Sequence, residues 1–302
     1  MTPRAQSYLS LALCILLWAS IPVASKKILA ELSNLQMLFY STIFSVFALG
    51  ALVLWQRKTV NLKDYTLRDF ANMCWLGFLG AFLYYVLLYG AFARTSAAEG
   101  FLLAYTWPIL ISLLAVPLLG ERFTPARLIA VLISFSGVVA IVTQGRMVEL
   151  RVENLAGNLL ALCGALVFAL FSIQGKRANY NVTVAAFVYF CAALICSAVA
   201  IVLSGGLALP STAVWGWLIY NGLLVNGLSY VFWFKALEHG DTFIVSNLLY
   251  LTPAISLLFV LLLLDEPIHV SAVSGLVLII AGILFQSRQK LFAMTGIRRR
   301  FD

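Results

Sequence analysis

The feature that most constrains this chain is that it repeats itself. Displaced by 145 positions, Tyr85 meets Tyr230, Val86 meets Val231, Ala91 meets Ala236, Tyr105 meets Tyr250, Pro108 meets Pro253, Glu121 meets Glu266 and Gly137 meets Gly282. A displacement of 150 pairs Trp18 with Phe168, Ala19 with Ala169, Lys26 with Lys176 and Lys27 with Arg177. A fixed period sustained over so much chain means two copies of one structural unit. The copies are residues 1–148 and 149–302.

Hydropathy says what each unit is made of. Of the 302 residues 63% are hydrophobic and only 11% are charged, and the mean hydropathy is +0.99. Each helical crossing of a hydrocarbon layer about 30 Å thick needs about 20 apolar residues. Ten such windows lie at Tyr8 to Ala24, Leu35 to Trp55, Phe70 to Phe92, Ala97 to Leu119, Ala126 to Thr143, Leu155 to Gln174, Asn181 to Ser204, Val214 to Phe234, Phe243 to Leu264 and Val270 to Gln286. The expected fold is an all-α membrane protein of ten transmembrane helices, five per copy, forming one transmembrane domain over 1–302. The longest connections, 56–69 and 144–154, are too short to fold as soluble domains. The first window, with Arg4 ahead of it, has the outline of a cleaved secretory signal. Its internal counterpart in the sixth window predicts a permanent helix instead.

Five is odd, so consecutive copies cross the membrane in opposite directions. Inverted repeats of this kind give a transporter similar gates on its two sides, with substrate held near the midplane between them. Orientation follows from lysine and arginine. With the N-terminus in the cytoplasm, Arg4, Arg57, Lys58, Lys63, Arg68, Arg122, Arg127, Lys176, Arg177, Lys235, Arg288, Lys290, Arg298, Arg299 and Arg300 share its side, 15 of the 20 basic residues. Lys26, Lys27, Arg94, Arg146 and Arg151 make up the other 5. Both termini are expected in the cytoplasm. The net charge of +8 then reads as a topology signal facing an anionic leaflet, and no nucleic-acid partner is expected.

Three stretches also carry a resemblance: "LLWASIPVASKK" in the first window, "AAEGFLLAYTWPILISLLAVPLLGERF" in the fourth and "NLLYLTPAISLLFVLLLLDEP" in the ninth. The chain resembles the drug/metabolite transporter superfamily over nearly its whole length, in the ten-helix branch built of paired EamA repeats. The "YTWP" string is most like the aromatic amino-acid exporter group. The resemblance implies a basket of ten helices around a central cavity, lined by the third, fourth, eighth and ninth helices with the first and sixth. It also implies a bacterial inner membrane. The second repeat departs from the first where Thr252 stands for Trp107 and Asp265-Glu266 for Gly120-Glu121.

Helical spacing gives a separate view of such a lining, because positions i, i+4, i+7 and i+11 share a face. Phe78, Phe82, Tyr85 and Tyr89 form one stripe, and Phe101, Tyr105, Pro108 and Ser112 another. Asn226, Tyr230 and Trp233 form a third, and Phe243, Asn247 and Tyr250 a fourth. Rings offer stacking faces and a site for an ammonium group, and a buried amide facing lipid would be costly. The expected substrate contacts are Trp18, Phe82, Tyr85, Phe101, Tyr105, Asn226, Tyr230, Trp233, Asn247 and Tyr250. Tyr89, Trp55, Trp215 and Trp217, near helix ends, are expected in interfacial belts. Trp107 stands two residues from Tyr105, about 200° around a continuous helix, and is expected to pack between helices.

All 12 acidic residues fall at window ends, in loops or in the tail. A mid-membrane carboxylate, which ion-driven carriers commonly use, is missing, so uncoupled facilitated diffusion is the expectation. Glu121 and Glu266 are expected as structural ends of their helices, and Lys26, Lys27, Lys176 and Arg177 as snorkelling residues. Pro22, Pro108 and Pro253 predict bends within spans. Gly157, Ala161, Ala165 and Ala169 make a stripe for close helix packing. His239 and His269 have no metal-ligand spacing, Cys14, Cys74, Cys163, Cys191 and Cys196 form no CxxC pair, and no glycine loop suits a nucleotide. Neither a cofactor nor a metal is expected. The overall expectation is a monomeric exporter of amino acids, aromatic ones foremost. The alternatives are a multidrug, nucleotide-sugar or other small-metabolite carrier and, from another class, a membrane-embedded enzyme or lipid-handling protein.

Overall fold

The computed structural model describes residues 2–57, 64–92, 94, 103–143, 155–178, 180–264 and 270–298. Phe101, Asp265, Glu266, His269 and the Tyr89 side chain lie outside the described residues. The regular structure among those described is entirely helical: α1 (Pro3–Ala19), α2 (Ile21–Leu29), α3 (Asn34–Trp55), α4 (Leu67–Gly77), α5 (Tyr84–Phe92), α6 (Trp107–Leu119), α7 (Pro125–Val142), α8 (Leu155–Ala178), α9 (Val182–Ser204), α10 (Thr212–Tyr220), α11 (Ser229–His239), α12 (Thr242–Leu248), α13 (Leu251–Leu264) and α14 (Ser271–Arg298). Two stretches are wound as π-helix, Phe78–Leu83 between α4 and α5 and Asn221–Leu228 between α10 and α11. Their last residues stand one repeat displacement apart.

These helices fall on the ten apolar windows. Seven helical stretches are long and apolar enough to cross a membrane, and Trp107–Leu119 and Val273–Gln286 are shorter apolar helices. Local chemistry fixes several ends. Ser33 accepts from the Gln36 backbone while the Gln36 side chain accepts from Ser33 N–H, closing a capping box on α3. Asn181 and Asp241 cap α9 and α12. Gly120 and Gly205 end α6 and α9 at φ 69° and 91°, where a side chain would be strained.

Three windows that read as continuous helices are broken. The chain turns at Ser20, at 105–106 and at 249–250, each just ahead of Pro22, Pro108 or Pro253. The prolines therefore begin new helices rather than bend old ones. In a first turn the missing N–H has no intrahelical partner to lose.

Contacts between the halves come in exchanged pairs. A Cβ on Gly77 would stand 2.5 Å from the Tyr189 backbone of α9, and one on Gly222, its equivalent, would strike the Ser41 backbone of α3. Asn221 Nδ2 donates to Ser41 Oγ at 2.9 Å and Ser45 Oγ to the Gly222 carbonyl at 2.8 Å. On α7 and α14, Gly137 lies against Gly275 and Gly282 against Ala130, and the 145 displacement turns each pair into the other. Ser134 Oγ donates to the Ile279 carbonyl at 3.3 Å between them, and those two residues are themselves 145 apart. Lipid is as apolar as leucine, so close backbone approach at small residues supplies the attraction that hydrophobicity supplies in water. Gly157, Ala161, Ala165 and Ala169 are buried on α8. Exposed apolar side chains such as Phe47, Leu54, Ile195, Val202 and Leu262 form the outer surface.

The helix ends gather on two faces. On one, Ser7 Oγ donates to the Ala236 carbonyl, Lys176 Nζ to the Gly240 carbonyl and Asn72 Nδ2 to Tyr180. On the other, Glu31 accepts from Ser211, Gln36 donates to the Gly206 carbonyl and Tyr40 to that of Ala208.

Gly137→Val should overpack the α7–α14 contact and destabilise the protein by about 1–3 kcal/mol. Gly216→Val, where an added Cβ meets nothing within 4 Å, should leave stability near the parent. Thermal unfolding of the detergent-solubilised protein, followed by size-exclusion fluorescence, compares the two.

Candidate functional site

Trp18, near the end of α1, packs against α11, and its indole N–H donates to Ser229 Oγ at 2.7 Å. Ser229 in turn donates to the Val225 carbonyl within the second π stretch. Around the indole lie the rings of Trp233 at 5.7 Å, Phe168 at 6.1 Å, and Trp107 and Tyr230 both at 6.2 Å, centroid to centroid. Trp107 also meets Phe168 at 5.0 Å and Trp233 at 5.7 Å. Phe168 reaches Tyr84 at 4.7 Å. Both repeats thus contribute to one aromatic cluster.

The polar edges of these rings are held across the repeat boundary. The Tyr230 hydroxyl donates to the Gly80 carbonyl at 3.2 Å, inside the first π stretch, and the Tyr85 hydroxyl to Asn226 Oδ1 at 3.5 Å, inside the second. Trp233 Nε1 donates to Ser172 Oγ at 3.1 Å. The repeat relates Tyr85 to Tyr230, Trp18 to Phe168 and Ser229 to Tyr84, so the Trp18–Ser229 and Phe168–Tyr84 contacts occupy equivalent places. A π turn opens the backbone ladder, and such turns recur at functional sites. Trp233, Tyr230, Phe168 and Trp107 are buried, whereas Trp18, Phe82, Tyr84, Tyr85 and Tyr105 are partly exposed. The accessible fringe is therefore aromatic, with tyrosine hydroxyls and the Asn226 amide at its edge.

Of the residues expected as contacts, Trp18, Tyr85, Asn226, Tyr230 and Trp233 come together here. Phe82 points along a row, 5.9 Å from Phe78, which stacks on Trp75 at 5.6 Å. Tyr105 stands at the edge, its ring 6.4 Å from Trp107. That proximity corrects the placing of Trp107 half a turn away, because the break at 105–106 ends the α-helical register on which it rested. Asn247 and Tyr250 face another way, towards α7 and α14. Tyr250 packs 6.0 Å from Phe135 and donates to the Tyr105 carbonyl at 3.5 Å. Asn247 Nδ2 donates to Gln286 Oε1 at 2.7 Å, leaving Asn247 Oδ1 and Gln286 Nε2 buried without hydrogen bonds. Phe101 lies outside the described residues.

Tyr84, Ser229, Ser172 and Gln286 escaped sequence reasoning. The π turn shifts register by a residue and carries Tyr84 in, which an i, i+4 reading cannot see. For the break a signal existed, since Pro108 lacks the N–H that a continuous helix would bond to the Ala104 carbonyl.

A second constellation lies on the face that carries the N-terminus. Lys176 Nζ donates to Thr242 Oγ1 at 2.7 Å, the Gly240 carbonyl at 3.1 Å and Glu121 Oε1 at 3.2 Å. The Thr242 N–H and hydroxyl also donate to Glu121 Oε1. Arg127 pairs with Asp241 at 2.9 Å and covers the Phe243 ring at 4.9 Å. Lys176 is thus drawn into a protein network rather than snorkelling, because Glu121 compensates its desolvation. Glu121 is likewise more than a helix stop. Trp215 packs on Tyr40 and Phe44, Trp217 lies near Tyr220, and Trp55 is exposed.

Comparison with known proteins gives this arrangement a family. The pattern of the EamA-like transporter family matches residues 6–143 and again 155–288. The chain belongs to the EamA-like transporter family. Among relatives of this EamA protein, an uncharacterized transporter of Archaeoglobus fulgidus is 26% identical over 95% of this chain and 99% of its own. The aromatic amino acid exporter YddG of Ancylobacter novellus is 29% identical over 60% of this chain and 64% of its own. A crystal structure at 23% identity superposes with a TM-score of 0.83, covering 93% of this chain and 97% of the other, a likeness of fold. The EamA chain is accordingly an integral membrane transporter with a small-molecule substrate, and the names of its relatives point to transport rather than catalysis.

In this EamA transporter the Asn247–Gln286 pair offers a clean test of buried polarity. Asn247→Leu or Gln286→Leu alone strands the remaining amide and should cost about 1–3 kcal/mol. The double leucine variant should recover most of that loss. Thermal unfolding of the four proteins, read as a double-mutant cycle, measures it.

Proposed function

We propose that this protein exports amino acids, aromatic ones foremost, from the cytoplasm by alternating access between its two repeats. The supporting observation is the aromatic cluster at the repeat junction, with Trp18, Tyr84, Tyr85 and Tyr105 partly accessible and the Asn226 amide beside them. A ring substrate stacks or packs edge-on against such walls. Its ammonium group suits the tyrosine faces and its polar end the amide and hydroxyls. The named aromatic exporter among the relatives supports the same substrate class.

On this reading the units are 1–148 and 149–302, the termini and the Lys176–Glu121 face lie in the cytoplasm, and the host is a bacterial inner membrane. The transporter works as a monomer. The contact set is Trp18, Phe82, Tyr85, Phe101, Tyr105, Asn226, Tyr230, Trp233, Asn247 and Tyr250, joined by Tyr84 and Trp107. Within this set Tyr85, Tyr105 and Trp18 meet substrate directly. Tyr230 and Trp233 hold the cluster in place, and Asn247 and Tyr250 shape it from behind. The chemistry of transport asks for no reaction and no cofactor.

Proteoliposomes offered labelled phenylalanine, tryptophan, threonine and a cationic dye test the substrate class. Uptake of the two aromatic amino acids above threonine and dye is the expected result, and dye transport without amino-acid transport would overturn it. Tyr105→Ala should cut initial rates far more than Trp215→Ala, and equal losses would remove Tyr105 from the path.

The same vesicles address energetics. With no carboxylate in the middle of any apolar window of the sequence, facilitated diffusion is the proposed mode, so efflux from loaded vesicles should be unchanged by a pH gradient imposed alone. Acceleration by that gradient would count against it.

A further inference from the structure

We propose that Lys176, Glu121 and Thr242 form a latch that closes the transporter on the face that carries the N-terminus. Such a latch follows from membership of the EamA-like family and from the geometry, whatever the substrate. Glu121 follows α6 and belongs to the first repeat. Lys176 near the end of α8 and Thr242 at the start of α12 belong to the second. Their hydrogen bonds therefore join parts that alternating access has to move relative to each other.

Three features set this network apart from an ordinary surface ion pair. The side chains of Lys176 and Glu121 are only 17% and 18% exposed. One carboxylate oxygen, Oε1, takes the ammonium group, the Thr242 N–H and the Thr242 hydroxyl, while Oε2 is buried without a partner. The contact thus holds a desolvated carboxylate that water would readily hydrate once the network opened. It also leads inward: Ser246 Oγ donates to the Thr242 carbonyl at 2.7 Å and lies 2.9 Å from Ser112 Oγ on α6. Opening the latch separates this hydroxyl pair next.

Ser112→Cys gives a reporter, because Ser112 is fully buried between the aromatic cluster and the latch. In a variant whose five native cysteines are replaced, a membrane-impermeant maleimide is presented on the side of the termini and the labelling rate is measured. Glu121→Gln and Lys176→Met should each raise that rate about 5-fold or more, the low end of typical coupling between sites. Gly137→Val, which loosens the α7–α14 contact rather than the latch, should leave it near the parent's. If Lys176→Met fails to fold, Thr242→Ala, which removes only the bridging hydroxyl, carries the same test. An unchanged rate in the folded latch variants overturns the proposal. So does an equal rise from Gly137→Val, which would mean general loosening. Because labelling needs no substrate, these outcomes stand whatever the uptake panel finds.

Discussion

A hydrocarbon interior offers backbone polar groups no partner except one another, and the rest of this structure follows from that constraint. Continuous helices meet it internally. At three places where the ladder is irregular, a side chain from the other repeat donates to a backbone carbonyl. Tyr230 donates to Gly80 in the first π stretch, Ser45 to Gly222 in the second, and Tyr250 to Tyr105 at the break before α6. The backbone defects are therefore also the joints between the two halves.

The aromatic cluster is a consequence of the same arrangement. A tyrosine that must reach a carbonyl across the junction carries its ring there with it, and the small residues Gly77, Gly80 and Gly222 leave room for close approach. Trp18 and Trp233 follow the same logic, each donating its indole N–H to a serine on a neighbouring helix. The proposed binding surface and the inter-repeat bonding share residues. Under the proposed alternating access, opening one side would exchange some of these bonds and so couple access to the state of the rings.

The parts legible in the sequence were those governed by short-range rules or by copying. Hydropathy located the helices because span length is set by the bilayer, and the displacement of 145 paired Gly137 with Gly282, whose contacts are exchanged copies of each other. Trp18, Tyr85, Asn226, Tyr230 and Trp233 do meet in the aromatic cluster, although the stripe from Asn226 to Trp233 begins inside the second π stretch. Reading failed where the helical period failed. The π turns shifted Tyr84 inward, the break at 105–106 returned Trp107 to the side of Tyr105, and the break at 249–250 left Tyr250 facing α7 and α14. The Lys176–Glu121 contact was illegible for another reason: its partners come from three separated segments, and only packing decides that the lysine turns inward.

The two repeats share a scaffold but not a lining, and the difference has a direction. Among the described residues the buried amides, Asn158, Asn221, Asn226, Asn247 and Gln286, all belong to the second repeat, while the buried polar residues of the first are serines and threonines. At the equivalent positions Asn221 faces Leu76, Asn226 Ala81, Asn247 Leu102 and Gln286 Ile141. Asn221 is engaged with Ser41 and Asn247 with Gln286, which leaves Asn226, beside Tyr85, as the amide at the aromatic cluster. Trp107 in place of Thr252 gives the first repeat the larger apolar surface. A shared scaffold with an asymmetric wall suits a substrate that has an apolar ring at one end and hydrogen-bonding groups at the other. The proposed amino acid would lie with its ring towards Trp18 and Trp107 and its polar end towards the second repeat.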